Sequence, residues 1–277
     1  MENGLPGRTR WLDVAPGRLP GWLESFADRH GGLTGPPQYL SPDTPESDAG
    51  DPAASGPGSA GRGSARAGAS VVVFHAADGA TAECHLPFPP LPAPASGTPA
   101  SRQVASDSLA DTEPGASATR MAAHALADRT VGVLLVRLGG YAAGVFTGTD
   151  QHLAASKVGS RLVHGRSAAG GQSQRRFARR REKQANEALG AAADTAAAVF
   201  GPYNGRLDAV VLGGDKRAMS GLADDPRLRP FLDLAVDRFL TVPDPRLAVL
   251  KSAPRMFTAI RIRLTEPASP GGPAAAS

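Results

Sequence analysis

Two stretches of this chain cannot contribute to a core, and they limit how the rest can fold. Residues 41–69 and 87–117 consist mainly of Ser, Pro, Gly, Ala and Asp and lack the apolar spacing of a helix or a strand. Such sequence buries too little apolar surface to offset the entropy lost on ordering. Both read as disordered inserts, so the folded part is smaller than 277 residues suggest. What remains is residues 8–40, 70–86 and 118–266, with a disordered tail over 267–277. The reading is a single α/β domain over 8–266, with helices packed on a mixed β-sheet and two disordered inserts.

The ordered blocks carry clear periodicities. Trp11–Val14 reads as an edge strand, and Leu19, Trp22, Leu23 and Phe26 line one face of a helix closed by Gly31-Gly32. Val71–Phe74 and Thr81–Leu86 flank Asp78-Gly79, a hairpin signal. Met121–Arg129 reads as a short helix. Val131–Leu138, Tyr141–Phe146 and His152–Lys157, separated by tight turns, predict an antiparallel meander. A long helix follows from about Gln174 to Phe200, stopped by Gly201-Pro202. Leu207–Leu212 reads as a strand buried on both faces, Pro230–Leu240 as a helix, and Phe257–Leu264 as a half-buried final strand with Arg261 and Arg263 outward.

Charge is concentrated in one window. Lys157 to Lys183 holds nine Lys/Arg and a single acid, Glu182, whereas the whole chain nets only +4. Four of these cations, Arg175, Arg176, Arg179 and Arg180, stand at the start of the long helix, where the unpaired N–H groups already contribute roughly half a positive charge. Arginine there works against isolated stability. It makes physical sense if a polyanion, RNA phosphate above all, docks on it. A solvated basic face is the plainer alternative. Just ahead lies Gly170-Gly171-Gln172-Ser173-Gln174. Tandem glycines let backbone press against another molecule. Glutamine is neither a strong base nor a nucleophile, but its amide can position a water.

Other chemistries are missing their motifs. There is no phosphate-binding G-x-x-x-x-G-K-[ST] loop, no His-Glu-x-x-His and no G-x-S-x-G, and Gly139–Gly144 misses the dinucleotide spacing. The Gly213-Gly214-Asp215-Lys216 turn follows a strand and could approach a ligand, but it reads first as a strand-to-helix connection. His75, Cys84 and His85 lack a fourth ligand and any Cys-x-x-Cys spacing, so they read as ordinary strand residues. No metal and no cofactor are expected. The single cysteine excludes an internal disulfide and fits a reducing cytoplasm. The first residues lack an apolar leader, and the longest apolar run is too short for a bilayer. A soluble, cytoplasmic protein without membrane contact is expected.

The Gly-x-x-Gln loop, the Arg-bearing segment before it and R-R-F-A-R-R-R after it resemble the actinobacterial peptidyl-tRNA hydrolases of the Vms-like release-factor family. These in turn resemble the Gly-Gly-Gln-bearing central domain of eukaryotic and archaeal release factors. V-R-L-G-G-Y-A-A-G-V-F and A-S-K-V-G-S-R support the likeness, which runs from about Trp11 to Leu264 apart from the inserts. The resemblance implies a monomeric α/β protein that enters the large ribosomal subunit and frees the nascent chain from stalled peptidyl-tRNA. Carried over, Gln174 matches the glutamine of Gly-x-x-Gln and Gly171 its glycine, with Gly170 and Gln172 beside them. The basic positions from Arg175 onward match the start of the RNA-binding helix, and Arg166, Lys157 and Arg161 extend the basic set. The sequence departs from relatives at two points. Gln172 makes a literal Gly-Gly-Gln at 170–172, and alanines stand at 168 and 169, where relatives tend to carry another basic residue. Cleavage of the peptidyl ester or of a phosphodiester near the tRNA 3′ end both fit a glutamine loop. A non-catalytic rRNA- or tRNA-binding module is the competing reading.

Overall fold

The computed structural model describes residues 8–41, 69–92, 113–137, 139–161 and 173–267, the side chains of 173–182 excepted. The chain divides into two compact units, residues 1–125 with 259–277 and residues 126–258. Each has its own sheet, where the sequence suggested one domain with one sheet.

The first unit is an antiparallel sheet in the order β1-β10-β4-β3-β2. Its strands are β1 (Arg8–Val14), β2 (Gln38–Leu40), β3 (Val71–His75), β4 (Thr81–His85) and β10 (Ile260–Glu266). Strict alternation explains the sheet: Ile260, Ile262 and Leu264 are buried while Arg261 is exposed. Helices α1 (Leu19–Arg29) and α2 (Pro114–Ala125) supply Leu19, Leu23, Phe26 and Met121 to the same core. The β3–β4 hairpin turns at Asp78-Gly79, with Gly79 at φ 89°, as its sequence predicts. Trp11 and Arg261 lie on the opposite face, the guanidinium 4.7 Å from the ring centroid.

Described elements reach into the second low-complexity tract from both sides. Phe88 and Leu91 are buried, Ala69 and Leu91 form a bridge, and α2 begins at Pro114, ahead of the expected Met121. Small residues made this helix hard to see. Ser117, Ala118, Ala122 and Ala125 are buried, but they signal apolar periodicity only weakly.

The second unit holds the mixed sheet, β7-β6-β5-β8-β9. The expected meander is present as β5 (Val131–Arg137), β6 (Gly140–Thr147) and β7 (His152–Ser160). Strands β8 (Ala209–Gly214) and β9 (Ala235–Leu240) run parallel to β5. β5 and β8 are central and covered on both faces, which is why they read as continuous apolar runs. Tyr141, Ala143 and Val145 of β6 pack with α3 (Ser173–Phe200), α4 (Lys216–Leu222) and α5 (Arg229–Leu232). The alternate β6 residues meet α6 (Leu247–Phe257): the Phe146 and Phe257 rings lie 5.8 Å apart.

Two predicted elements need correction. Residues 230–240 form one turn of helix and then a strand. Their apolar positions fit both periods, and the open edge of β8 decided in favour of pairing. α6 had no counterpart among the predicted elements, because Pro254 lies inside it and removes a helical N–H. Leu250, Ala253 and Phe257 nevertheless bury one face of it, and the final strand starts only at Ile260.

Candidate nucleic-acid interface

The basic window is framed by two elements of the second unit. β7 enters it and α3 leaves it. Arg166, Gly170, Gly171 and Gln172 fall outside the described residues. Gln174, Arg175, Arg176, Arg179 and Arg180 stand in the first turns of α3, whose backbone begins its helix at Ser173 and carries no acid in its first turn. Lys157 and Arg161 are exposed. Lys183, also exposed, sits 3.9 Å from Glu187 one turn on.

The described side chains of α3 are anchored in its C-terminal half. The helix is 28 residues long, about 42 Å at 1.5 Å per residue. Its described side chains are first fully buried at Ala188, then at Ala192, Ala193, Thr195, Ala196, Val199 and Phe200. Small residues on that face allow close approach. From the other side α4 comes so near that a Cβ on Gly221 would lie 2.9 Å from Leu189 Cδ1. Arg227 spans the same region, donating to Asp194 of α3 at 2.7 Å and to Asp225 at 2.7 Å.

β7 is an edge strand with its exit held closely. A Cβ on Gly159 would come within 2.6 Å of the Tyr141 ring, so only glycine lets the buried tyrosine lie across the strand here. Arg161 N–H then donates to Gly139 O at 2.8 Å, which pins this residue just past the end of β7 to the β5–β6 turn. Register puts Ser160 opposite Gly140, Gly140 opposite Arg137 and Val136 opposite Gly214. β7 thus leaves the sheet at the same end as the carboxyl ends of β5 and β8, where ligands of open α/β sheets commonly bind.

That shared end includes cations that sequence alone did not single out. Arg137 donates to Val242 O at 2.6 Å and is committed to the fold. Lys216 and Arg217 are exposed. They follow the Gly213-Gly214 turn that sequence alone assigned to a connection, and their only signal was two adjacent cations after an acid. The acid is occupied: Asp215 caps α4, accepting from Arg217 N at 2.8 Å and Ala218 N at 3.4 Å. Asp215→Ala should cost about 1 kcal/mol, read as a lowered thermal midpoint, with Asp215→Asn retaining most of it.

The residues with metal-like identities are not gathered. Cys84 faces the core of the first unit, where burial pushes its thiol up to about 12. His85 lies on the other face, its ring 5.1 Å from Trp11, and burial lowers its pKa. No cluster of three or more potential metal ligands occurs among the described residues, and none of their helices is long and apolar enough to cross a membrane.

One family model, described as Actinobacteria/chloroflexi VLRF1 release factor, matches residues 129–263, a span that encloses the whole basic window. Among solved structures the chain is similar to an archaeal translation termination factor, aRF1, at 14% identity and a TM-score of 0.36, over 66% of this chain and 51% of that one. The chain therefore spans about half the length of that factor. It is also similar to the Vms1 mitochondrial localization core, at 11% identity and a TM-score of 0.31, over 69% of this chain and 75% of that one. No curated protein matches the chain.

Proposed function

We propose, because residues 129–263 belong to the VLRF1 release-factor family of Actinobacteria and Chloroflexi, that this chain is a ribosome-associated factor that frees nascent chains from stalled peptidyl-tRNA. The observation that supports this most is the coincidence of that family match with the basic window, a glutamine loop joined to a helix start rich in arginine. In this reading Gly170 and Gly171 let the loop approach the tRNA end, and Gln174 orients the attacking water. The water oxygen adds to the ester carbonyl, the bond to the tRNA 3′ oxygen breaks, and that oxygen leaves as a hydroxyl carrying the proton. Arg166, Arg175, Arg176, Arg179 and Arg180, with Lys157 and Arg161, hold phosphates of the large-subunit rRNA or the tRNA. Proximity and orientation in such a cavity are worth roughly 7–11 kcal/mol in favourable cases, so the loop need not supply a strong base.

Purified protein added to stalled large-subunit complexes should release labelled peptide. The tRNA 3′ terminus then identifies the bond cleaved: an intact CCA end marks ester hydrolysis, and a shortened end marks phosphodiester cleavage. If neither peptide nor tRNA is altered while binding persists, the chain is a binding module. The basic helix has its own test. Arg179→Glu with Arg180→Glu should weaken binding to the large subunit at least tenfold. For the wild type, about six phosphate contacts to a duplex site imply a loss of roughly 10³ in affinity between 50 and 200 mM salt. Binding that is flat with salt would leave α3 with a merely solvated basic face.

A further inference from the structure

The structure brings together two basic points that are far apart in sequence, Arg161 and the pair Lys216–Arg217. β7, β5, β8 and β9 all end on one side of the mixed sheet, as the pairings Gly140–Ser160, Arg137–Gly140, Val136–Gly214 and Gly213–Leu240 require. Arg161 stands at the end of β7 and Lys216–Arg217 just beyond the end of β8. Three strand spacings separate those strands, about 14 Å. All three side chains are exposed.

Close packing shapes the turn that delivers Lys216 and Arg217. Gly213 packs so closely that a Cβ would meet Leu240 O at 2.7 Å and Leu135 Cδ2 at 2.9 Å. Gly214 has φ +103° and no room for a side chain beside the Val136 carbonyl. Asp215 N–H then donates to Val136 O at 2.8 Å. The nearest acid in sequence is engaged with backbone: the Asp215 carboxylate accepts from the Arg217 and Ala218 amides at the start of α4. Lys216 Nζ lies 5.8 Å from the Phe239 ring centroid, and neither Lys216 nor Arg217 forms an ion pair among the described residues. Asp244, exposed in the segment after β9, and Arg246, which follows it, flank Pro245, whose Cδ would lie 3.3 Å from a Cβ on Gly140. Among these residues, Arg161, Lys216, Arg217 and Arg246 outnumber Asp215 and Asp244.

We propose that Lys216 and Arg217 form, with Arg161, a second phosphate-contact strip for single-stranded RNA, lying across the strand ends beside the exit of β7. It rests on the RNA-directed reading of the basic window and extends it from Arg161 across the strand ends to the β8–α4 turn. The strip sets the direction in which an RNA end crosses the sheet.

The test is fluorescence anisotropy with a labelled single-stranded RNA 12-mer ending in CCA, titrated at several salt concentrations. Lys216→Ala with Arg217→Ala should weaken binding about tenfold. Removing two phosphate-binding cations should flatten the slope of log affinity against log salt by about 1.4. Both residues are exposed, so the thermal midpoint should be unchanged. Lys216→Arg with Arg217→Lys, which keeps the charges, should retain affinity and guards against a folding artefact. Arg179→Ala with Arg180→Ala is the comparison. If that variant loses affinity while Lys216→Ala/Arg217→Ala matches wild type in affinity and salt slope, the strip is refuted and the RNA reading of the basic helix stands. If the wild type does not bind the RNA at all, the broader RNA reading fails with it.

Discussion

Gln174→Ala should lower peptide release from stalled large-subunit complexes by about 10²-fold or more while leaving binding intact. The size follows from what such a side chain does. Removing one preorganised hydrogen-bond donor at the reacting centre typically costs 10²–10³ in turnover. Alanine keeps the helix propensity of the position, so α3 should still begin where it does. Gln172→Ala is the control. Its side chain precedes the helix in the Gly-Gly-Gln reading, and release should stay within a few-fold of wild type if Gln174 is the working amide. The opposite pattern, with Gln172→Ala inactive and Gln174→Ala active, would transfer the role to the literal Gly170-Gly171-Gln172 triplet. Unchanged release in both variants would remove the glutamine loop from the chemistry altogether. The assay must report binding separately, because an alanine that merely loosens the complex raises the concentration needed without lowering the rate at saturation.

Gly214→Ala should destabilise the second unit by about 3–5 kcal/mol, combining the strain of a positive φ with overpacking against backbone that cannot move aside. The new Cβ would run into the Val136 carbonyl oxygen, with the carbonyl carbon only 2.8 Å away. That oxygen already accepts from Asp215 N–H, so moving it breaks a turn and the parallel β5–β8 pairing together. A fall of the thermal midpoint by more than about 10 °C follows at roughly 4 °C per kcal/mol. Gly190→Ala makes the contrast. Gly190 is exposed on α3 with nothing within 4 Å of its would-be Cβ, so alanine there should stabilise by about 0.5–1 kcal/mol. Equal melting of Gly214→Ala and wild type would overturn this account of the turn.

Legibility varied with the physics of each element. The meander β5–β6–β7 was readable because glycine turns and β-branched residues leave few alternatives to local antiparallel pairing. α3 was readable from its composition and its Gly201-Pro202 stop. β9 was not, since a short apolar run such as Ala235–Leu240 satisfies helix and strand alike until a neighbouring edge selects one. α6 was hidden by Pro254, and the start of α2 by alanines that bury well but signal weakly. On the functional side, the basic window and its glutamines stood out because charge clustering is a local property. Lys216 and Arg217 did not, because two cations gain meaning only from what lies beside them in space.

By itself the sequence determined where positive charge gathers, which residues carry the glycine–glutamine motif, and that an α/β fold with a mixed sheet would carry them. Those are short-range properties, set by residue type and by periods of two and 3.6. Only tertiary structure decided that the chain builds two sheets in two units, and that β8 pairs with β5 so that Gly214 fits under the Val136 carbonyl. It also set the β8–α4 turn about 14 Å from the exit of β7. Strand pairing joins residues tens of positions apart, and close packing at Gly213, Gly214 and Gly159 selects among registers that local sequence leaves equally available.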